Sequence, residues 1–241
     1  MFERSRNYPT ALTADGLTAA EADRLATQWV LNQRDAVGGQ ILLYLPDRRE
    51  RSGRAVVNQF ATRPDVVTET WKTIHGGNWS GGPVLAAWPN TKALGEISDN
   101  DLVRALCVLT WLPKEVVSWA RAVGAEVLGG QMDLSAPALS APVIEAAMET
   151  MVSLVNQNNP LTTGHEKEVV VEALLILKRH RHQFDGDELY TWALHHGWAA
   201  ERATELRGLV QKVNDGVRLR IKGGMLRADI YEIWKAADPD S

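Results

Sequence analysis

The sequence lacks several features that would identify its class directly. It has one cysteine, Cys107, so no disulfide can form within the chain, and its position in an apolar run predicts a buried thiol rather than a nucleophile. No apolar run approaches the roughly 20 residues that cross a bilayer. The charged segment 1–9 lacks the apolar part of a secretory signal. We therefore expect a soluble cytoplasmic protein with no membrane partner.

An excess of positive charge is also missing. The formal net charge is −4, residues 1–132 hold 14 Lys and Arg against 14 Asp and Glu, and residues 133–241 hold 12 against 16. Affinity for phosphate comes largely from cationic side chains. This balance disfavours a general nucleic-acid binder and leaves only local basic patches as candidates.

Three apolar runs each end at a proline that polar residues follow, and they cover residues 41–45, 84–88 and 105–112. Continuous apolar runs between helix-like stretches are typical of strands buried on both faces. We predict an α/β fold with a mostly parallel sheet and flanking helices in the N-terminal half. An all-α domain follows it.

A change in composition predicts the domain limits. We assign residues 1–130 to the α/β domain, 131–142 to a linker with two Ser-Ala-Pro units, and 143–241 to a helical domain. Capping boxes at Thr18 and Thr163 predict two helix starts. Ser52 is the predicted cap of a short helix, and residues 66–74 fit a strand or a helix almost equally. Between the second and third apolar runs we expect a polar connection with a start signal at Ser98-Asp99.

Four arginines follow the first apolar run and precede the predicted short helix. In a parallel sheet, Asn90 and Lys92 would lie beside these arginines at the carboxyl ends of the strands. Helix N-termini and guanidinium groups bind phosphate or carboxylate. We predict an anion site there, and the alternative is a solvated loop in which arginines pair with acids. The predicted ligand-binding residues are Arg48, Arg49, Arg51, Arg54, Asn90 and Lys92.

The helical half has the spacing of a helix-turn-helix, with Ala193, Gly197 and Leu206 at its small, turn and core positions. We predict a nucleic-acid contact there, with a basic flank that Arg218, Arg220 and Lys222 form with Lys178, Arg179 and Arg181. Plain packing of two helices is the alternative. The predicted nucleic-acid-binding residues are Arg202, Lys212, Arg218 and Arg220.

We find no complete catalytic motif, and whether the protein is an enzyme stays open. The glycine-rich segment 76–82 departs from both the nucleophile elbow and the phosphate loop. Five histidines between residues 165 and 196 lack zinc-ligand spacing, so no metal and no cofactor are predicted. An enzyme would have to combine Asp47, Asp65, His75, Ser80 and Lys92 at the carboxyl ends of the strands.

These patterns predict a non-catalytic binding protein. The sheet would hold an anionic partner, either nucleic acid or a phosphorylated small molecule, and the helical domain would contact nucleic acid or a protein partner. The alternatives are a hydrolase or metal-dependent nuclease with its site at the same edge, and a structural subunit that interacts with other proteins.

Overall fold

The computed structural model describes residues 7–47, 49, 53–72, 77–110, 113–134, 139, 141–156 and 159–237. The chain divides into two compact units, one covering Ser5–Ser135 and the other containing Ala136–Ser241. Among the described residues, no helix combines the length and the apolar character needed to cross a membrane.

The N-terminal unit contains a six-stranded sheet in which every pair of neighbouring strands is parallel. The strand order is β3-β2-β4-β5-β1-β6. This confirms the predicted parallel sheet. The strands are β1 (Thr10–Thr13), β2 (Ile41–Leu45), β3 (Val66–Thr70), β4 (Gly82–Ala87), β5 (Val103–Leu109) and β6 (Glu126–Leu128).

Helices cover both faces of this sheet, which explains why its strands are continuously apolar. They are α1 (Ala19–Val37), α2 (Ala55–Ala61), α3 (Thr91–Ser98) and α4 (Pro113–Val123). Leu43 and the fully buried Cys107 pack in the core under α1 and α2, whereas Leu42 and Leu106 pack in the core under α3 and α4. Adjacent residues of one strand therefore enter different cores.

Several local predictions can be compared directly with the structure. The Thr18 capping box is confirmed, because Thr18 N–H donates to the Glu21 carboxylate at 3.0 Å and Thr18 Oγ1 accepts from Glu21 N–H. The predicted Ser52 cap is wrong: α2 begins at Ala55, its N-cap is Arg54, and Ser52 lies outside the described residues. The connection expected after β4 contains α3, and residues 66–70 form a strand.

The described part of the C-terminal unit is helical, as predicted. Its helices are α5 (Pro142–Leu154), α6 (Gly164–Arg179), α7 (Gly186–His195), α8 (Ala200–Asn214) and α9 (Ile230–Ala236). The second capping box is wrong, because Thr163 makes no side-chain cap and Glu166 instead accepts from Asn159 at 2.7 Å. Helix α5 packs against α6 and α9, and α8 packs against α6 and α7.

Candidate functional site

The carboxyl ends of β2, β4 and β5 lie side by side, because these three strands are consecutive neighbours in a parallel sheet. We call this the carboxyl edge and the opposite one the amino edge. Asp47 and Arg49 follow β2 there, and Asp47 Oδ1 accepts the Arg49 N–H at 2.9 Å. Arg48 and Arg51 lie outside the described residues.

Arg54 has its guanidinium group engaged inside the N-terminal unit. Its Nε lies 3.0 Å from Asp23 Oδ2, its Nη2 donates to Asp23 Oδ1, and the same Nη2 donates to Ala19 O at 3.1 Å. The guanidinium carbon lies 5.2 Å from the ring centroid of Trp88. The exposed fractions are 12% for the Arg54 side chain and 3% for that of Asp23. Arg54 thus ties the start of α2 to α1.

Asn90 and Lys92 have different surroundings at the carboxyl edge. Asn90 Oδ1 accepts the Ala93 N–H at 2.8 Å and caps α3. The Lys92 side chain is 83% exposed, with its Nζ 3.8 Å from a Glu96 carboxylate oxygen. An exposed pair at this separation contributes little. Lys92 and the exposed Arg49 are therefore the predicted cations that reach solvent here among the described residues.

The residues proposed for an enzyme do not meet at one edge, so that expectation is wrong. Asp65 directly precedes β3 and Ser80 precedes β4, which places both at the amino edge, whereas Asp47 and Lys92 lie at the carboxyl edge. His75 lies outside the described residues. The described part of the chain contains no group of three or more His, Cys, Asp or Glu arranged to hold a metal.

Asp65 and Ser80 are also engaged locally. Arg63 donates to both carboxylate oxygens of Asp65, at 3.0 and 2.9 Å, and these bonds hold the pKa of Asp65 below its usual value. Ser80 Oγ donates to Gln40 Oε1 at 3.1 Å. A serine nucleophile needs a neighbouring base, and this amide oxygen cannot accept the proton as one.

Helices α7 and α8 meet at the predicted glycine turn. Gly197 has a φ of 78°, and Trp198 N–H donates to Ala193 O at 3.0 Å. Arg202, near the start of α8, donates to the carboxylates of Glu205 and Glu201, and its side chain is 11% exposed. Its charge is therefore neutralised within the unit. Lys212, almost three turns later, is exposed.

A basic surface forms where the end of α6 adjoins the segment after α8. Lys178 Nζ donates to Val213 O, and Arg179 lines a cavity together with Ile221 and Arg227. Residues 216–228 contain no acid. Among the described residues, no carboxylate lies within ion-pair distance of the five exposed cations that define this basic surface: Arg179, Arg181, Arg218, Arg220 and Lys222.

Glu172 anchors the segment that carries these cations. Its carboxylate accepts N–H bonds from Gly224 at 3.0 Å, Met225 at 2.7 Å and Leu226 at 3.3 Å. Three successive backbone donors around one carboxylate form a short anion nest. The segment between α8 and α9 is thereby held against α6, which places Arg220 and Lys222 near the end of that helix.

A ring pair lies beside the basic surface. The rings of His180 and Tyr231 stack with a centroid separation of 3.4 Å and an angle of 8°, and His182 Nε2 lies 3.1 Å from the Tyr231 hydroxyl. Burial, and secondarily the charge of His180, lower the pKa of His182. Sequence reasoning gave these histidines no role, because Tyr231 lies far along the chain and no spacing rule connects them.

Comparison with known proteins adds one observation. Residues 140–235 match the model of a family described as a domain of unknown function, DUF1889. This segment contains α6, the basic surface and the His180–Tyr231 pair. No curated protein and no solved structure matches the chain. The similarity to DUF1889 therefore concerns the C-terminal unit.

Proposed function

We propose that this protein binds nucleic acid without catalysing a reaction, and that the basic surface of its C-terminal unit contacts the phosphate backbone. One observation carries the proposal: five exposed cations lie on two adjoining segments, with no described carboxylate within ion-pair distance. Lysine and arginine that neutralise phosphates release condensed counterions, which supplies most sequence-independent affinity. The C-terminal half is acidic overall, so this contact is local.

The carboxyl edge of the sheet is the weaker candidate for an anionic partner. Arg54 would have to leave Asp23 to bind a ligand, and the buried Asp23 carboxylate would then lose its guanidinium partner. Arg49 and Lys92 are exposed there, but Lys92 faces Glu96. The basic surface is the better site, because within the described part of the chain its cations can bind phosphate without leaving a carboxylate partner.

Fluorescence anisotropy with a labelled oligonucleotide over a salt series tests this proposal. The test variant changes Arg218, Arg220 and Lys222 to Gln. The control changes three exposed cations of the N-terminal unit, Arg24, Lys72 and Arg104, to Gln, so both variants have the same net charge. Binding should fall steeply between about 50 and 200 mM salt, and the slope of log K against log salt should be roughly 2–3 smaller in the test variant.

The control variant should keep the wild-type affinity and slope. An equal loss in both variants would mean that only net charge matters and would refute a localised site. If the wild-type protein shows no binding above background at low salt, nucleic-acid binding itself is refuted.

A further inference from the structure

The cavity beside the basic surface has the size of a ligand site and a lining of mixed apolar and polar residues. Its volume is about 390 Å³, and it lies between α6 and residues 221–231. Small-molecule sites occupy about 300–1,000 Å³ and are mostly apolar, with a few polar groups that orient the ligand. The apolar side chains of the lining are Leu175, Ile176, Ile221, Leu226, Ala228 and Ile230.

The ring pair forms part of the same wall. His180 and Tyr231 both line the cavity. The Tyr231 hydroxyl lies within hydrogen-bonding distance of His182 Nε2, and this contact helps to hold the Tyr231 ring against His180. The His180 side chain is exposed, although Tyr231 covers one of its ring faces. A base that enters the cavity meets these two rings as part of its wall and can stack against them. Base stacking on protein rings tolerates any base, because every base has a π-face.

The charged groups of the cavity favour a base inside and phosphates outside. Arg179 lines it, Arg227 lines it while donating to both oxygens of the Asp229 carboxylate, and the exposed Arg220 and Lys222 flank Ile221 of its wall. The Glu172 carboxylate is also part of the lining and would repel a phosphate that entered. A base can occupy the apolar wall while its neighbouring phosphates stay on the cations.

We propose that this cavity takes one unstacked base, so that the preferred ligand is a single-stranded nucleic acid whose backbone lies along the basic surface. This inference rests on the proposed function. A duplex keeps its bases paired and stacked and would first have to extrude one. Single-stranded nucleic acid presents splayed bases, and combining a cationic track with ring stacking is a general way to bind it.

The test compares a labelled single-stranded oligonucleotide with the same sequence as a duplex, over one common salt series. The variant His180→Ala removes the exposed ring, His180→Phe keeps one, and His165→Ala is the control because His165 is exposed in the same unit and does not line the cavity. A 2-aminopurine base within the oligonucleotide reports stacking through the quenching of its fluorescence.

The single strand should bind at least about tenfold more tightly than the duplex, and His180→Ala should lose roughly five- to 100-fold for the single strand only. Its salt slope should be unchanged, and His180→Phe should restore both affinity and quenching. If His180→Ala matches His165→Ala, or if both nucleic acids bind equally, the base site is refuted. Should the basic-surface variant still lose binding in that case, the proposed function survives without the cavity. An absence of any binding refutes both.

Discussion

Replacing Arg54 with Met tests whether this arginine belongs to the interior of the N-terminal unit rather than to an anion site. The substitution removes three bonds: two to the Asp23 carboxylate and one to Ala19 O. Asp23 keeps a carboxylate that is 3% exposed and has lost its guanidinium partner. Breaking a buried pair from one side costs about 3–5 kcal/mol. Since domains are stable by about 5–15 kcal/mol, the loss would be severe.

The assay is amide hydrogen exchange along a urea series, measured on α1, because it reports the unfolding of the N-terminal unit alone. Lys92→Met is the matched control and should change the free energy of unfolding by less than about 0.5 kcal/mol, since its pair with Glu96 is exposed. The double variant Asp23→Leu/Arg54→Met should recover most of the loss, because no charge then stays buried. A change below about 1 kcal/mol for Arg54→Met, or a double variant no better than the single one, would refute this reasoning.

Three further predictions concern single positions. Gly82→Ala should destabilise the sheet by about 1–3 kcal/mol in urea unfolding, because φ is 147° and a Cβ would lie 2.4 Å from Gln40 O, whereas Gly53→Ala, with open space around it, should be neutral. Glu172→Ala should speed amide exchange at residues 224–226 in mass spectrometry, since three N–H groups lose their acceptor, and unchanged exchange would contradict the anchoring role. The pKa of His182 is lowered from 6.5 in the folded protein. As the pH drops through 6.5, the unfolded chain therefore binds a proton at His182 before the folded protein does, and stability should fall. His182→Gln should weaken this pH dependence of thermal unfolding.

The parallel sheet was predictable because strands that are buried on both faces have continuously apolar sequences. Strand β2 is apolar throughout, and its successive residues enter different cores. Strand β1 lacks a continuous apolar sequence, since Thr10–Thr13 is short and half of it is threonine. Helix α3 was missed although a signal existed: Asn90 caps it, and Ala93, Leu94 and Ile97 form its buried stripe. The internal Gly95 obscured that pattern.

The candidate site was predictable only in part, because sequence locates charges but not their partners. Arg54 pairs with Asp23, 31 positions earlier, and no local rule points to that contact. The basic flank was predictable as two short cationic segments, residues 178–181 and 218–222. Their adjacency depends on a Lys178 bond to Val213 O and on the cavity that Arg179 shares with Ile221. The stack of His180 on Tyr231 could not be predicted, because the two residues lie far apart in the sequence and only the fold brings their rings together.

Arg202 separates the helix-turn-helix interpretation from the basic-surface proposal. A recognition helix that uses Arg202 needs this side chain at the nucleic acid, but its guanidinium is bound by Glu201 and Glu205, and Glu205 also accepts the Leu161 N–H at 2.8 Å. Arg202→Gln should therefore lower the free energy of unfolding by roughly 1–3 kcal/mol and leave nucleic-acid affinity within about twofold. Arg220→Gln should instead weaken nucleic-acid binding and leave the free energy of unfolding nearly unchanged, because Arg220 is exposed on the basic surface. A tenfold loss of affinity in a folded Arg202→Gln protein would instead favour the start of α8 as the binding element.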